Sequence, residues 1–171
     1  MINKIQGIPK IIFVDFDNTL SANKWSDVVE ETSFSQDDYV NWDCICKTNQ
    51  NTYDECEPVP CVQRAIHFFH ERGSRIILLS WEEKHFARKR KEKWVNFYFP
   101  GVFEDKIFTD TAEQKIKVME VYSLTEDISR SKIVIMEDKP ATCNQVDEVG
   151  FLVWTLSYIA LIFDGNKIPC I

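Results

Sequence analysis

The sequence predicts an α/β fold: a doubly wound, Rossmann-like parallel sheet of about five strands flanked by helices, with a small cap inserted at residues 21–60. Two observations predict it. Short apolar runs rich in strand formers end in polar, chemistry-bearing residues, as at Ile11–Val14 before Asp15 and Ile76–Leu79 before Ser80. Amphipathic helical stretches separate those runs, and strand–helix alternation implies a parallel sheet covered on both faces. The chain of 171 residues, 44% of them hydrophobic, suits one such domain.

The elements follow in order. Ile11-Ile12-Phe13-Val14 reads as a fully buried strand running into Asp15-Phe16-Asp17-Asn18-Thr19-Leu20. Residues 21–60 are polar, aromatic and irregular, with one or two short helices expected, one of them near Ser35 to Trp42. Pro58 and Pro60 close that segment. The predicted domains are therefore a core of residues 1–20 and 61–171 and a cap or lid of residues 21–60. A helix is expected from Cys61 to Arg72, with Val62, Ala65, Ile66 and Phe69 on one face and Gly73 as its stop. Arg75 to Ser80 makes a second strand, Glu82 to Phe97 a basic helix, and Lys106 to Thr109 a short third strand. Ala112 to Leu124 makes another helix, Lys132 to Met136 a fourth strand ending in Glu137-Asp138, and Phe151 to Leu156 a fifth.

In such sheets ligands bind outside the carboxyl ends of the strands. Those ends carry Asp15 and Asp17, Ser80, and Glu137 and Asp138. Clustered carboxylates repel unless some are protonated or a cation lies among them. Mg²⁺ takes carboxylate oxygens and keeps waters that a phosphate can replace. Asp15, Glu137 and Asp138, with Asp17 beside them, are the candidate Mg²⁺ ligands. Asp15 is the candidate nucleophile toward phosphorus, and Asp17 the group that protonates the leaving oxygen and then activates water. Ser80 is a candidate hydrogen-bond donor to a transferring oxygen. Lys115 is the candidate counter-charge, favoured over Lys117 because Val118, Met119 and Tyr122 follow it at helical spacing. The alternatives are plain ones: a solvated turn at Asp15 and Asp17, a helix N-cap at Asp138, a polar strand end at Ser80, and a surface lysine at Lys115.

Four stretches in order resemble the motifs of the haloacid dehalogenase-like hydrolase superfamily, over roughly residues 9 to 156. They are Ile11–Leu20, which contains Asp-x-Asp-x-Thr; Ile76–Ser80; Lys115 opening a helix; and Ile133–Asp138. The resemblance implies an aspartyl-phosphate at Asp15, acid/base work by Asp17, and phosphate contacts by Ser80 and Lys115. The acid at position 17 is similar to the phosphatase branch. A looser similarity of Lys93–Phe99 and Val102–Phe108 to small 5'-nucleotidase-type members makes a nucleotide one candidate substrate, beside other small phosphometabolites.

Other features are open to two readings. Cys44, Cys46, Cys56 and Cys61 could hold a structural Zn²⁺, or be reduced thiols without a metal. The run Arg88-Lys89-Arg90-Lys91 reads as the solvated face of a helix whose Phe86 and Trp94 pack inward. A net charge of −7 and a pI near 5.0 disfavour a nucleic-acid partner. His67 and His70 have no evident third ligand. Trp25, Tyr39, Trp42 and Tyr53 would stack on an aromatic substrate or form the cap's own core. The first ten residues do not read as a secretory signal, and Phe151–Phe163 is too short to span a bilayer, so a cytoplasmic location and no membrane partner are expected. The expectation is a Mg²⁺-dependent phosphomonoester hydrolase acting on a small phosphorylated substrate. A phosphotransferase or phosphomutase of the same fold, or a non-catalytic protein binding through its cysteine-containing insertion, are the alternatives.

Overall fold

The computed structural model describes residues 7–22, 53 and 56–163. Five strands form one parallel sheet: β1 (Ile11–Val14), β4 (Arg75–Trp81), β5 (Phe103–Thr109), β6 (Ile133–Met136) and β7 (Leu152–Trp154). Their order across the sheet is β5-β4-β1-β6-β7. The chain thus winds outward from β1 to β5, returns, and winds out the other way through β6 and β7. The reversal lies between β1 and β6, which pair in parallel from Ile11↔Ile133 to Val14↔Met136. A doubly wound sheet opens its ligand crevice at such a reversal, beyond the strands' carboxyl ends.

Alternation along the strands divides the core into two layers. Ile12, Val14, Ile76, Leu78, Val134 and Met136 face the cluster that includes Val62, Ala65, Ile66 and Phe69 of α1 (Pro60–His70), Trp94 and Val95 of α2 (His85–Tyr98), and Ile159 of α5 (Leu156–Phe163). Ile11, Phe13, Ile77, Leu79, Ile133 and Ile135 face Met119 of α3 (Ala112–Thr125) and Val146 of α4 (Pro140–Glu148). β1 and β6 are buried at every residue, as a strand covered on both faces requires.

Differences from the expected elements are local. The strand expected at Lys106–Thr109 begins at Phe103, because this edge strand needs only one ladder partner and tolerates Glu104, Asp105 and Lys106. The fifth strand ends at Trp154, and α5 takes over from Leu156. Residues Ser21–Ala22 (β2) and Glu57–Pro58 (β3) pair antiparallel, so the chain runs side by side at these two points. The rest of the predicted cap, with the helix expected at Ser35–Trp42 and with Trp25, Tyr39, Trp42, Cys44 and Cys46, lies outside the described residues. No helix among the described residues is long and apolar enough to cross a membrane.

Candidate active site

Asp15 is the first residue past β1, and its N–H still donates to the Met136 carbonyl at 3.0 Å. Glu137 is the first past β6, its N–H donating to the Trp154 carbonyl at 3.2 Å. The ladder therefore delivers both carboxylates to the same rim at the reversal point. Asp138 follows and accepts from Thr19 Oγ1 at 3.3 Å. One carboxylate oxygen from each of Asp15, Glu137 and Asp138 lies within 4.8 Å of the others, the only such His/Cys/Asp/Glu group among the described residues. Three hard oxygen donors at this spacing suit a divalent cation.

Lys115, in the first turn of α3, enters this cluster from the second core layer. Its Nζ lies 2.6 Å from Asp15 Oδ1 and 2.8 Å from Glu137 Oε2, and the side chain is buried. Burial pulls its pKa down, but Asp15 and Glu137 outweigh that and hold it above the usual lysine value. Glu137 is pushed up to about 7, first by burial and then by the Asp15 charge, against the pull of Lys115. Asp138 is raised by burial and by Asp15. This surplus of buried negative charge is what a cation would relieve. The N-cap of α4 is Lys139, not Asp138; Lys139 N–H donates to Glu137 Oε1 at 3.2 Å.

Asp17 lines the same cavity but pairs with a different lysine. Its Oδ2 accepts from Lys91 Nζ at 2.6 Å, and it is not one of the three grouped carboxylates. Burial is the main cause that lifts its pKa, with Asp15 and Glu82 adding and Lys91 opposing. Asn18, between Asp17 and Thr19, takes a left-handed φ of 56°. Asparagine tolerates that conformation, and it lets the chain turn back sharply so that the Leu20 and Ser21 N–H groups both reach the Phe16 carbonyl. Ser80 is fully buried near the end of β4, and its Oγ accepts from Lys91 at 3.2 Å. Trp81 points to the opposite side of the pleat, so its bulk does not fill the position of Ser80. Trp81 instead lines, with Asp15, Asp17, Lys115, Glu137 and Asp138, a cavity of about 210 Å³. Lys139 Nζ sits 4.7 Å from the centre of its ring.

Lys91 overturns the reading of Arg88–Lys91 as a solvated face. Its side chain is 0% exposed and contacts Asp17 and Glu82. The signal was present in the spacing: Ala87, Lys91, Trp94 and Val95 are the buried residues of α2, one helical stripe with a lysine in it. Phe86, expected inside, is 41% exposed with Arg90 over its ring. Zinc at the four cysteines gains no support. Cys61 packs in the first core layer, the Cys56 carbonyl accepts from Trp94 Nε1 at 2.9 Å, and Cys44 and Cys46 are undescribed. His67 stacks on Phe99, and Tyr53 is buried edge-on against Phe16, a packing role in both cases.

No family model matches the sequence, and no curated protein sequence does. Solved structures do match. A haloacid dehalogenase-like family hydrolase from Streptococcus pneumoniae aligns over 94% of this chain and 92% of its own, at 12% identity and a TM-score of 0.56. One from Xanthomonas campestris aligns over 87% and 82%, at 10% identity and 0.56. A phosphatase-containing protein part from Bacteroides fragilis, complexed with Mg, aligns over 88% of this chain and 36% of its own, at 16% identity and 0.55. With the doubly wound sheet and the acidic cluster at its reversal point, these likenesses show that the chain has the haloacid dehalogenase-like hydrolase fold.

Proposed function

We propose that the protein is a Mg²⁺-dependent phosphomonoester hydrolase that works through a phosphorylated Asp15. The carrying observation is the junction of Asp15, Glu137 and Asp138 at the sheet's reversal point, with Lys115 buried against two of them. The three carboxylates fit a hard divalent ion in number, donor type and spacing, and the Mg-complexed structural neighbour supports the choice of metal. When bound, Mg²⁺ would offset the repulsion between nucleophile and substrate and polarise a phosphoryl oxygen.

The chain's own groups supply the rest. Asp15 attacks phosphorus and carries the phosphoryl group as an acyl phosphate. Lys115 balances charge beside Asp15 and faces the incoming phosphate. Asp17, with its pKa raised by burial, gives a proton to the leaving oxygen and takes one from the hydrolytic water. Ser80 donates to a phosphoryl oxygen. Selection among small phosphorylated substrates, nucleotides included, is assigned to residues 21–60.

Asp15→Asn keeps the shape and removes the nucleophile. It is expected to abolish Mg²⁺-dependent hydrolysis of p-nitrophenyl phosphate, with wild-type activity also lost in EDTA and restored by Mg²⁺. Unchanged turnover in Asp15→Asn would reject the mechanism.

A further inference from the structure

Among the described residues two lysines are buried, and they reach the candidate site from opposite faces of the sheet. Lys115 of α3 meets Asp15 and Glu137. Lys91 of α2 belongs to the other core layer and is unused by the chemistry above. Lysine is almost never fully buried unless paired, so its surroundings carry information.

An ammonium has three N–H donors and no acceptor. Lys91 Nζ has three oxygen neighbours: Asp17 Oδ2 at 2.6 Å, Glu82 Oε2 at 3.1 Å and Ser80 Oγ at 3.2 Å. The rings of Phe16 and Tyr53 lie 5.3 and 5.8 Å from it and close the pocket around the charge. Glu82 is itself tethered, its Oε1 accepting from the Lys84 N–H at 3.0 Å just before α2 begins.

Two consequences follow from which atoms are engaged. With Oδ2 of Asp17 bound to Lys91, Oδ1 is the oxygen left over; it is buried and has no hydrogen-bond partner. With Ser80 Oγ accepting from Lys91, the serine hydrogen is left for another acceptor. One buried ammonium thus sets the orientation of both groups.

We propose that Lys91 is a positioning residue, which fixes Asp17 so that its Oδ1 exchanges the proton with the leaving oxygen and fixes Ser80 so that its hydroxyl donates to the phosphoryl group. The proposal rests on the acid role given to Asp17 above. In the step concerned the ester P–O bond breaks as the Asp15–phosphorus bond forms, and the proton on Asp17 passes to the departing oxygen.

The test compares two Mg²⁺-dependent reactions: p-nitrophenyl phosphate, whose leaving group departs unprotonated, and phenyl phosphate, whose leaving group needs the proton. In Lys91→Met, kcat/KM, which reports the steps up to departure of the leaving group and not the hydrolysis of phosphorylated Asp15, is expected to fall about 100-fold or more for phenyl phosphate and less than about tenfold for p-nitrophenyl phosphate. Asp17→Asn should discriminate in the same way, and adding Lys91→Met to it should bring little further discrimination. Equal losses of kcat/KM on the two substrates would overturn the proposal, because Lys91 would then act on structure or on phosphate itself. Discrimination in Asp17→Asn but not in Lys91→Met overturns the proposal alone. Its absence in Asp17→Asn overturns the acid role and the proposal with it. Lys91→Arg covers the case in which Lys91→Met does not fold, since it keeps the charge that balances Asp17 and Glu82. A rigid guanidinium fork presents its donors differently, so the same discrimination is expected. Wild-type ratios in Lys91→Arg would overturn positioning by the ammonium.

Discussion

At Lys115 a cation sits where charge is costly, and the structure matches it with two carboxylates within 2.8 Å. Removing one partner of a buried ion pair leaves the others uncompensated, at a cost of about 3–5 kcal/mol. Lys115→Met is therefore expected to lower the stability of metal-free protein by that order in urea unfolding. If Lys115 also meets the phosphoryl group, activity falls at least about 100-fold, the scale of losing one donor to a developing charge. Lys117→Met should change neither measurement much. The spacing of Val118, Met119 and Tyr122 pointed to Lys115 before any coordinates did, because a helix's apolar stripe fixes which neighbours turn inward. The same reasoning applied to Ala87, Trp94 and Val95 points to Lys91, but its setting among Arg88, Lys89 and Arg90 masks the stripe.

At the scale of elements, α2 connects the site to Cys56, just before β3. Trp94 packs 5.1 Å from the Phe16 ring, three residues from Lys91 on the same face, and its Nε1 reaches the Cys56 carbonyl. Trp94→Ala is expected to cost about 3–5 kcal/mol as a large core truncation. Trp94→Phe keeps most of the packing and loses mainly the hydrogen bond, so about 1 kcal/mol is expected. Chemical unfolding of the two variants separates the contributions; equal losses would place the whole effect in the hydrogen bond. The edge strand β5 shows where local pattern reading stops short. Glu104 and Asp105 look like loop in sequence, yet Arg75 binds Glu104 at 2.5 Å and pins the strand's start.

The whole molecule couples proton and metal binding through the crowded carboxylates. Glu137 is raised to about 7 from an ordinary value of 4.5, chiefly by burial and then by Asp15. A raised acid binds its proton more tightly in the folded state. Its contribution to metal-free stability is therefore full below about 4.5 and lost as pH rises through about 7. Mg²⁺ binds the ionised form and must displace that proton. The Tm gain on adding saturating Mg²⁺ is accordingly expected to be larger at pH 8 than at pH 6, and Glu137→Gln should flatten the difference. A gain independent of pH in the wild type would remove Glu137 from the cation site.

By itself the sequence determined the sheet, its helical cover and the rim that bears the chemistry, because buried strands and helix stripes are local patterns that hydrophobic burial imposes residue by residue. It also placed Asp15, Ser80 and Glu137-Asp138 at strand ends. Only the tertiary structure decided which carboxylates share a site. Asp15 meets Glu137 and Asp138 because β1 pairs with β6 at the winding reversal, while Asp17, two residues away, turns to Lys91. Partner choice among buried charges depends on distances across the sheet and on desolvation, and neither is written in the spacing along the chain.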